Sequence, residues 1–381
     1  MAERWSALHR ASALRRCAGQ HRQQRGVGVA TDLLQFFHAR PVFGGVPGGD
    51  GKIEGGPASW TARRPTVRPP EARHQHDFQP QEYPRAFSYA LPPVLRIFPG
   101  DTVRTKTIDA LGLDEKLVRR GNEGNPLTGP FYVEGALAGD TLVVHFNRIR
   151  LNRGSAISGH KIYPVVVTSD YAARIKPIDS FDSRWVLDRE HNTARLLNPT
   201  AALKDFVVPI HPTLGCVGVA PRDQQSWSSH QLGEFGGNLD YNQIREGTTL
   251  YLPVFHPGAL LFFGDGHAVQ GDGELAALET SLDIEFTVDL IADDPIESPR
   301  AENDEFLMTM GIAGSLTAAI QQATTELMKW LESDYHLNDA ELAIVLGTGM
   351  RYDVAEIVDP QLHVVAKVRK SVLSQLHEGK H

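Results

Sequence analysis

Thiols are almost absent from this sequence: Cys17 and Cys216 are the only two in 381 residues. One chain can therefore build neither a disulfide framework nor a four-thiolate zinc site, and any bound metal must use oxygen and imidazole. Long apolar runs are missing too. The early run VATDLLQFF is too short and too interrupted for a secretory core, and nothing later approaches 18 apolar residues, so no membrane-spanning helix is expected. With a net charge of −8 the chain offers no basic face for a phosphate backbone. The expectation is a cytoplasmic protein with neither a nucleic-acid nor a membrane partner.

What is present is ordinary globular material, 41% hydrophobic and 22% charged, enough for one large core or, as the length favours, two moderate ones. Charge is unevenly spread. Residues 1–76 carry a net +7, which leaves −15 on the rest, and they are rich in Arg, Gly and Pro, a composition that buries too little apolar surface to order itself. They are expected to be a disordered extension or one foreign to the fold. Residues 77–300 read as a β-rich body: TLVVHFNRIRL, YPVVVTS, TTLYLPVF and SLDIEFTVDLI are short, β-branched and partly alternating, with turn residues between them. The alternation of Ser281, Asp283, Glu285, Thr287 and Asp289 with Leu282, Ile284, Phe286, Val288 and Leu290 predicts a strand with one wet face.

Residues 301–381 change character and form an α/β portion completing the same fold. Leu316, Ile320, Ala323, Leu327, Trp330 and Leu331 recur at helical spacing, Asn338 precedes a second helix with Asp339 and Glu341 in its first turn, and VDPQLHVVAKVRKSVL reads as a strand running into a short helix. The fold class is mainly β (α+β), a sandwich or barrel-like body with a helical C-terminal portion.

Chemistry-bearing residues concentrate elsewhere. In GALLFFGDGHAVQGDGELAALE, residues 258–279, an apolar run ends where four glycines alternate with Asp265, His267, Asp272 and Glu274 within eleven residues. Ordinary loops do not gather carboxylates and an imidazole in this way. Three further glycine-marked segments are NPLTGPFYVEGALAGDTL, with Asn125 and Glu134, HPTLGCVGVAPR, with His211, and GGNLDYNQIREGTTLYLPV, with Gly237, Asn238 and Asp240.

These four segments, in this order, resemble the acetamidase/formamidase family of amide hydrolases over roughly residues 92–370. The resemblance implies a mainly β protein with a helical C-terminal portion, hydrolysis of a short-chain amide such as formamide or acetamide to a carboxylate and ammonia, and a bound divalent metal. A homo-oligomer is the accompanying expectation. The residues can be weighed for such chemistry. Ser228 and Ser229 lack a glycine turn to present a nucleophile, and Cys216 has no nearby charge to lower its pKa, so serine and thiol routes are weak. Asp and His on glycine-flexed loops fit a metal route, with zinc first and calcium second. Asp240, Asp265 and His267 are the preferred ligands, because Asp265 and His267, two apart on an extended segment, project to one side; Glu279 is a further ligand. Glu274 or Glu134 would serve as general base, and spacing does not choose between them. His211, Asn125, Gly237 and Asn238 are candidates for holding the substrate. The opposing reading is a non-catalytic β-sandwich binding protein whose acidic loops hold structural calcium.

Overall fold

The computed structural model describes residues 73–176 and 178–376, together with the backbone of a hairpin formed by Lys52–Glu54 and Ser59–Thr61. That hairpin belongs to a unit ending at Pro65, and both large sheets belong to a second unit, Thr66–His381. Of residues 1–76, expected to be disordered or foreign to the fold, this hairpin and residues 73–76 are described, and the rest of that expectation lies outside the described residues. Gln75–Asp77 forms a strand parallel to Thr102–Lys106, so the ordered fold begins at least as early as Arg73, ahead of the boundary expected at residue 77.

Two sheets carry the fold. The first, of eleven strands, centres on Leu261–His267, which lies between Thr213–Gly218 and Leu278–Thr280 and also pairs with Leu127–Val133. In the second, of nine strands, the long antiparallel pair Thr141–Leu151 and Leu282–Ile291 adjoins Thr249–Pro253, and Arg300–Glu302, Phe306–Ala313, Leu362–Arg369 and Met350–Glu356 continue it to its edge. The stretch expected to alternate does so from Leu282 onward, where Leu282, Ile284, Phe286 and Val288 are buried and Asp283, Glu285 and Thr287 only partly so; Ser281, expected on the wet face, is instead buried ahead of the strand, its hydroxyl donating to Asn152 Oδ1. The sheets meet face to face through aromatic side chains. Phe286 of the second stands edge-on to Phe131 and Phe263 of the first, with ring centroids 5.3 and 5.2 Å apart, a geometry that adds quadrupole attraction to the apolar burial.

The helical portion covers the second sheet, and of the residues at helical spacing Ala323, Leu327, Trp330 and Leu331 are buried, whereas Leu316 and Ile320 at the start of the helix are exposed. Leu316–Tyr335 is capped by Ser315, and Asp339–Gly349 by a capping box of Asn338 with Glu341. The first of these helices approaches the sheet so closely that a Cβ on Gly311 would lie 1.9 Å from the carbonyl oxygen of Ala319. The predicted final strand and short helix are Leu362–Arg369 and Lys370–Leu373. One expected strand is not formed: YPVVVTS folds instead as a short 3-10 turn, Pro164–Val166, leading to the helical turn Ser169–Ala172. The segment belongs to an excursion between two strands and has no neighbouring strand to pair with. Pro164, at the start of the turn, suits a helical φ, and Val165 is 68% exposed.

The N-terminal strand matters through Asp101, which is 1% exposed and accepts from the backbone N–H groups of Phe98 and His74 while its other contact is the His76 ring at 3.0 Å. Burial opposes this carboxylate, but those contacts hold it below its ordinary range. A chain starting at Phe78 is expected to melt several degrees below one starting at Arg73, because it loses two of these partners and a strand. Equal midpoints in calorimetry would refute that role.

Candidate functional site

The site is built where the first sheet departs from regular geometry. Asp265 lies inside the fully buried strand Leu261–His267, yet its φ is +55°, so the strand twists locally and the carboxylate turns out of simple alternation. Asp265 and His267 do converge, with His267 Nε2 3.6 Å from Asp265 Oδ1, but through this left-handed residue. Asn125, Asp240 and Glu274 also have positive φ, at +48°, +41° and +50°. Four candidate site residues thus hold a backbone conformation that L residues seldom adopt, and only a tightly determined surrounding maintains it.

Gly215 makes room for the cluster. A Cβ there would lie 2.5 Å from Asp240 Oδ1, 2.6 Å from Asp265 Oδ2 and 2.9 Å from the His267 ring. Its carbonyl oxygen also accepts from the Asp240 N–H at 3.1 Å, so this one residue both seats the Asp240 loop and leaves the space into which three side chains point. Glu279, on the adjacent strand Leu278–Thr280, comes within 3.3 Å of His267 Nε2. Glu274 arrives from the short turn Asp272–Glu274, and Glu356 from the end of Met350–Glu356. Ligand atoms group as Asp240 with Asp265 and His267, His267 with Glu274 and Glu279, and Asp240 with Glu274 and Glu356, all within 4.8 Å in each set.

Several of these atoms are buried without a hydrogen-bond partner: Asp240 Oδ1, Asp265 Oδ1, His267 Nε2, Glu279 Oε2 and Glu356 Oε2. Unpaired buried oxygens and a bare imidazole nitrogen are costly singly, and their convergence fits a divalent cation bound at about 2.0–2.6 Å. Electrostatics agrees. Burial pushes the carboxyl of Glu274 up to about 9 against the pull of His267, and lifts Glu279 and Glu356 to about 7 and Asp240 well above its usual range. Burial would lower His267, but the carboxylates of Glu279 and Asp265 outweigh it and hold the imidazole well above its ordinary value. The protein has thus concentrated negative charge that only protons or a cation can balance.

A surrounding layer of hydrogen bonds fixes these groups. Asn238 is its hub. Its Nδ2 donates to the carboxylates of Asp240 and Asp359, and its Oδ1 accepts from Asn125 Nδ2 at 3.1 Å and Cys216 Sγ at 2.9 Å. Asn125 Nδ2 donates to Asp265 Oδ2 as well, at 3.0 Å. Gln270 links His267 Nδ1, 3.0 Å away, to the carbonyl oxygen of Asp240. His363 Nδ1 lies 2.6 Å from the carbonyl oxygen of Leu239, and burial lowers its pKa to about 4, so the ring stays neutral.

The structure therefore brings together Asp240, Asp265, His267, Glu279 and Glu274, with Asn125 hydrogen-bonded to Asp265 and Asn238 to Asp240. Other expected residues lie elsewhere. Glu134 is ion-paired with Arg96 at 2.6 Å, beyond the end of Leu127–Val133; Leu127 is the residue that pairs with Gly264, so Glu134 sits about 20 Å from the cluster along the strand. His211 donates its backbone N–H to Ala268, but its side chain is exposed. Gly237 is required by packing, since a Cβ would meet the carbonyl oxygen of Gln231 at 2.3 Å. Cys216 is a buried thiol whose pKa is raised by burial, in keeping with an inert role. Glu356, Asp359, Gln270 and His363 were not legible beforehand. Glu356 and Asp359, three apart in a turn, look like solvated loop residues until that turn is packed against Asn238.

The sequence pattern of the acetamidase/formamidase family matches residues 231–360, which contain most of this cluster. An acetamidase of Mycolicibacterium smegmatis is 44% identical over 61 residues, a stretch spanning 15% of this chain and 15% of that relative. The solved acetamidase of Yersinia enterocolitica is similar over 80% of this chain and 94% of its own, at 27% identity and a TM-score of 0.67. That of Bacillus halodurans is similar over 79% and 99%, at 25% identity and a TM-score of 0.64.

The raised carboxyls set the pH dependence of the metal-free chain. Glu274, Glu279 and Glu356 have folded pKa values above the ordinary 4.5, so they cost nothing while protonated below that value and destabilise the fold progressively as pH rises towards about 9. The raised His267 acts in the same direction, since its contribution is lost as it deprotonates. The thermal midpoint of chelator-treated protein is expected to fall from pH 5 to pH 9, and added zinc to flatten the decline. A midpoint rising over that range would contradict this electrostatic account.

Proposed function

This chain belongs to the acetamidase/formamidase family, and from that premise we propose that its buried carboxylate–imidazole cluster hydrolyses a short-chain amide, of the formamide or acetamide type, in a metal-dependent reaction. The observation that carries the reading is the convergence of Asp240, Asp265 and His267 beside Gly215, with Glu279 3.3 Å from His267 Nε2, each of the four keeping a buried polar atom without a partner. These four residues would hold the cation, and their mixed oxygen and nitrogen donors suit zinc. A structural calcium site would call on six or more oxygens and little imidazole, whereas His267 is central here.

A divalent cation there supplies Lewis acidity, making water more acidic and polarising a carbonyl oxygen. The remaining work belongs to the chain. Glu274, ionised, accepts a proton from the attacking water as its oxygen adds to the carbonyl carbon. It returns that proton to the amide nitrogen as the C–N bond breaks, leaving the carboxylic acid and ammonia, between which a proton then passes to give carboxylate and ammonium. Its raised pKa would leave it protonated at neutral pH without a cation, and a neighbouring positive charge draws it down towards working pH. Asn238, Asn125 and Gln270 hold the ligands in place, so little reorganisation accompanies the reaction. Asp240, Asp265 and His267 are at most 3% exposed, a burial that favours a compact substrate over a bulky one. The proposal includes a homo-oligomeric, cytoplasmic protein; exposed Ile162, Val165 and Ile178 support association, and no helix among the described residues is long and apolar enough to cross a membrane.

Ammonia release from a panel of short amides, before and after chelation and with metal content measured on the same sample, tests this directly. Asp265→Ala and His267→Ala are expected to lose both metal and activity; full occupancy in both would sink the ligand assignment. Glu274→Gln should keep the metal while turnover falls by roughly two to four orders of magnitude, and turnover of the native chain should decline on the acid side as Glu274 protonates. Loss of metal in Glu274→Gln would make that residue a ligand instead.

A further inference from the structure

His363 has no part in the chemistry described above, yet its placement is tightly specified. It belongs to Leu362–Arg369 of the second sheet, is 0% exposed, and lies opposite Glu356 in the antiparallel register. Its Nδ1 is 2.6 Å from the carbonyl oxygen of Leu239. A carbonyl can only accept, so Nδ1 carries the hydrogen and Nε2 is a bare lone pair, buried without a partner. The ring is held from the side by Tyr241, edge-on at 6.0 Å.

Leu239 precedes Asp240, the residue whose left-handed backbone sends its carboxylate into the cluster. Three other contacts hold that backbone or carboxylate: Gly215 through the Asp240 N–H, Gln270 through the Asp240 carbonyl, and Asn238 through the carboxylate. All three come from the first sheet and its connecting loops. The His363 contact comes from the second sheet, and Asp359, in the turn of the same hairpin, grips Asn238.

We propose that His363 is a positioning residue that clamps the Leu239–Asp240 peptide from the second sheet and so aims the Asp240 carboxylate at the metal position. The inference rests on the reading that Asp240 is a metal ligand. It also explains why an imidazole is kept at a site where an apolar side chain would fill the same space without leaving a nitrogen unpaired.

The test uses the full chain with His363→Leu, His363→Asn and His363→Gln. An Asn amide places its donor near the position of Nδ1, whereas Gln places it near Nε2. In metal-free protein, amide hydrogen exchange across Leu239–Tyr241 is expected to be about tenfold faster in the Leu and Gln variants than in the native chain, with Asn close to native. Zinc affinity, read by competition with a chromophoric chelator, should fall about 10–100-fold in His363→Leu and recover most of that loss in His363→Asn. Native exchange and native zinc affinity in His363→Leu, or Asn and Gln behaving alike, would overturn the proposal. If His363→Leu does not fold, the Asn–Gln contrast decides alone. Equal zinc binding by the native chain and Asp265→Ala would overturn the metal reading instead, and the exchange rates of metal-free protein would still judge His363.

Discussion

Removing several carboxylates and an imidazole from water at one point is the constraint on which the rest of this structure depends. Each ionised group loses hydration on burial, and carboxylates placed together repel one another, so the arrangement persists only if protons, hydrogen bonds or a cation compensate. The protein supplies the hydrogen bonds generously: Asn238 alone makes contacts to Asp240, Asp359, Asn125 and Cys216. It nevertheless leaves Asp240 Oδ1, Asp265 Oδ1, His267 Nε2 and Glu279 Oε2 unpartnered, in a cluster of which Asp240, Asp265 and His267 fill the space beside Gly215. That combination is costly for a scaffold and apt for an ion-binding centre.

The two-sheet architecture makes this cost bearable. Phe131, Phe263 and Phe286 pack in mutual contact across the sheets, and the strand carrying Asp265 and His267 is buried along its whole length. A rigid apolar core of this kind can hold four residues in left-handed conformations that an exposed loop would relax. Hydrophobic burial, spread over both sheets, stabilises the fold strongly enough for the site to remain strained and charged.

The site is also shared between parts of the chain that differ in character. Asp240, Asp265, His267, Glu274 and Glu279 come from the stretch of residues 240–279, whereas Glu356, Asp359 and His363 come from the C-terminal strands that the helices cover. The helical portion is consequently more than a cover for a sheet face. Through Gly311 and Thr309, whose hydroxyl donates to the Ala323 carbonyl at 2.7 Å, it fixes the strand beside Leu362–Arg369 and thereby the hairpin that reaches Asp240.

What the sequence determined by itself was the part governed by local periodicity and local chemistry. Alternation placed Leu282–Ile291 as a half-buried strand, the 3.6-residue spacing and the Asn338 cap placed two helices, and the glycine-spaced acids of residues 264–274 marked the site. These signals lie within a few residues of one another and survive without tertiary context. Tertiary structure decided the rest. YPVVVTS has strand composition but no strand beside it, Glu134 has the right carboxylate but sits far along the neighbouring strand, and Gly237 is glycine for packing. Conversely, Glu356 and His363 gain their meaning only when a hairpin more than a hundred residues downstream is laid against Asp240. A residue's identity fixes which bonds it can make, whereas its role depends on which distant groups the packed sheets bring within reach, and no local pattern encodes that distance.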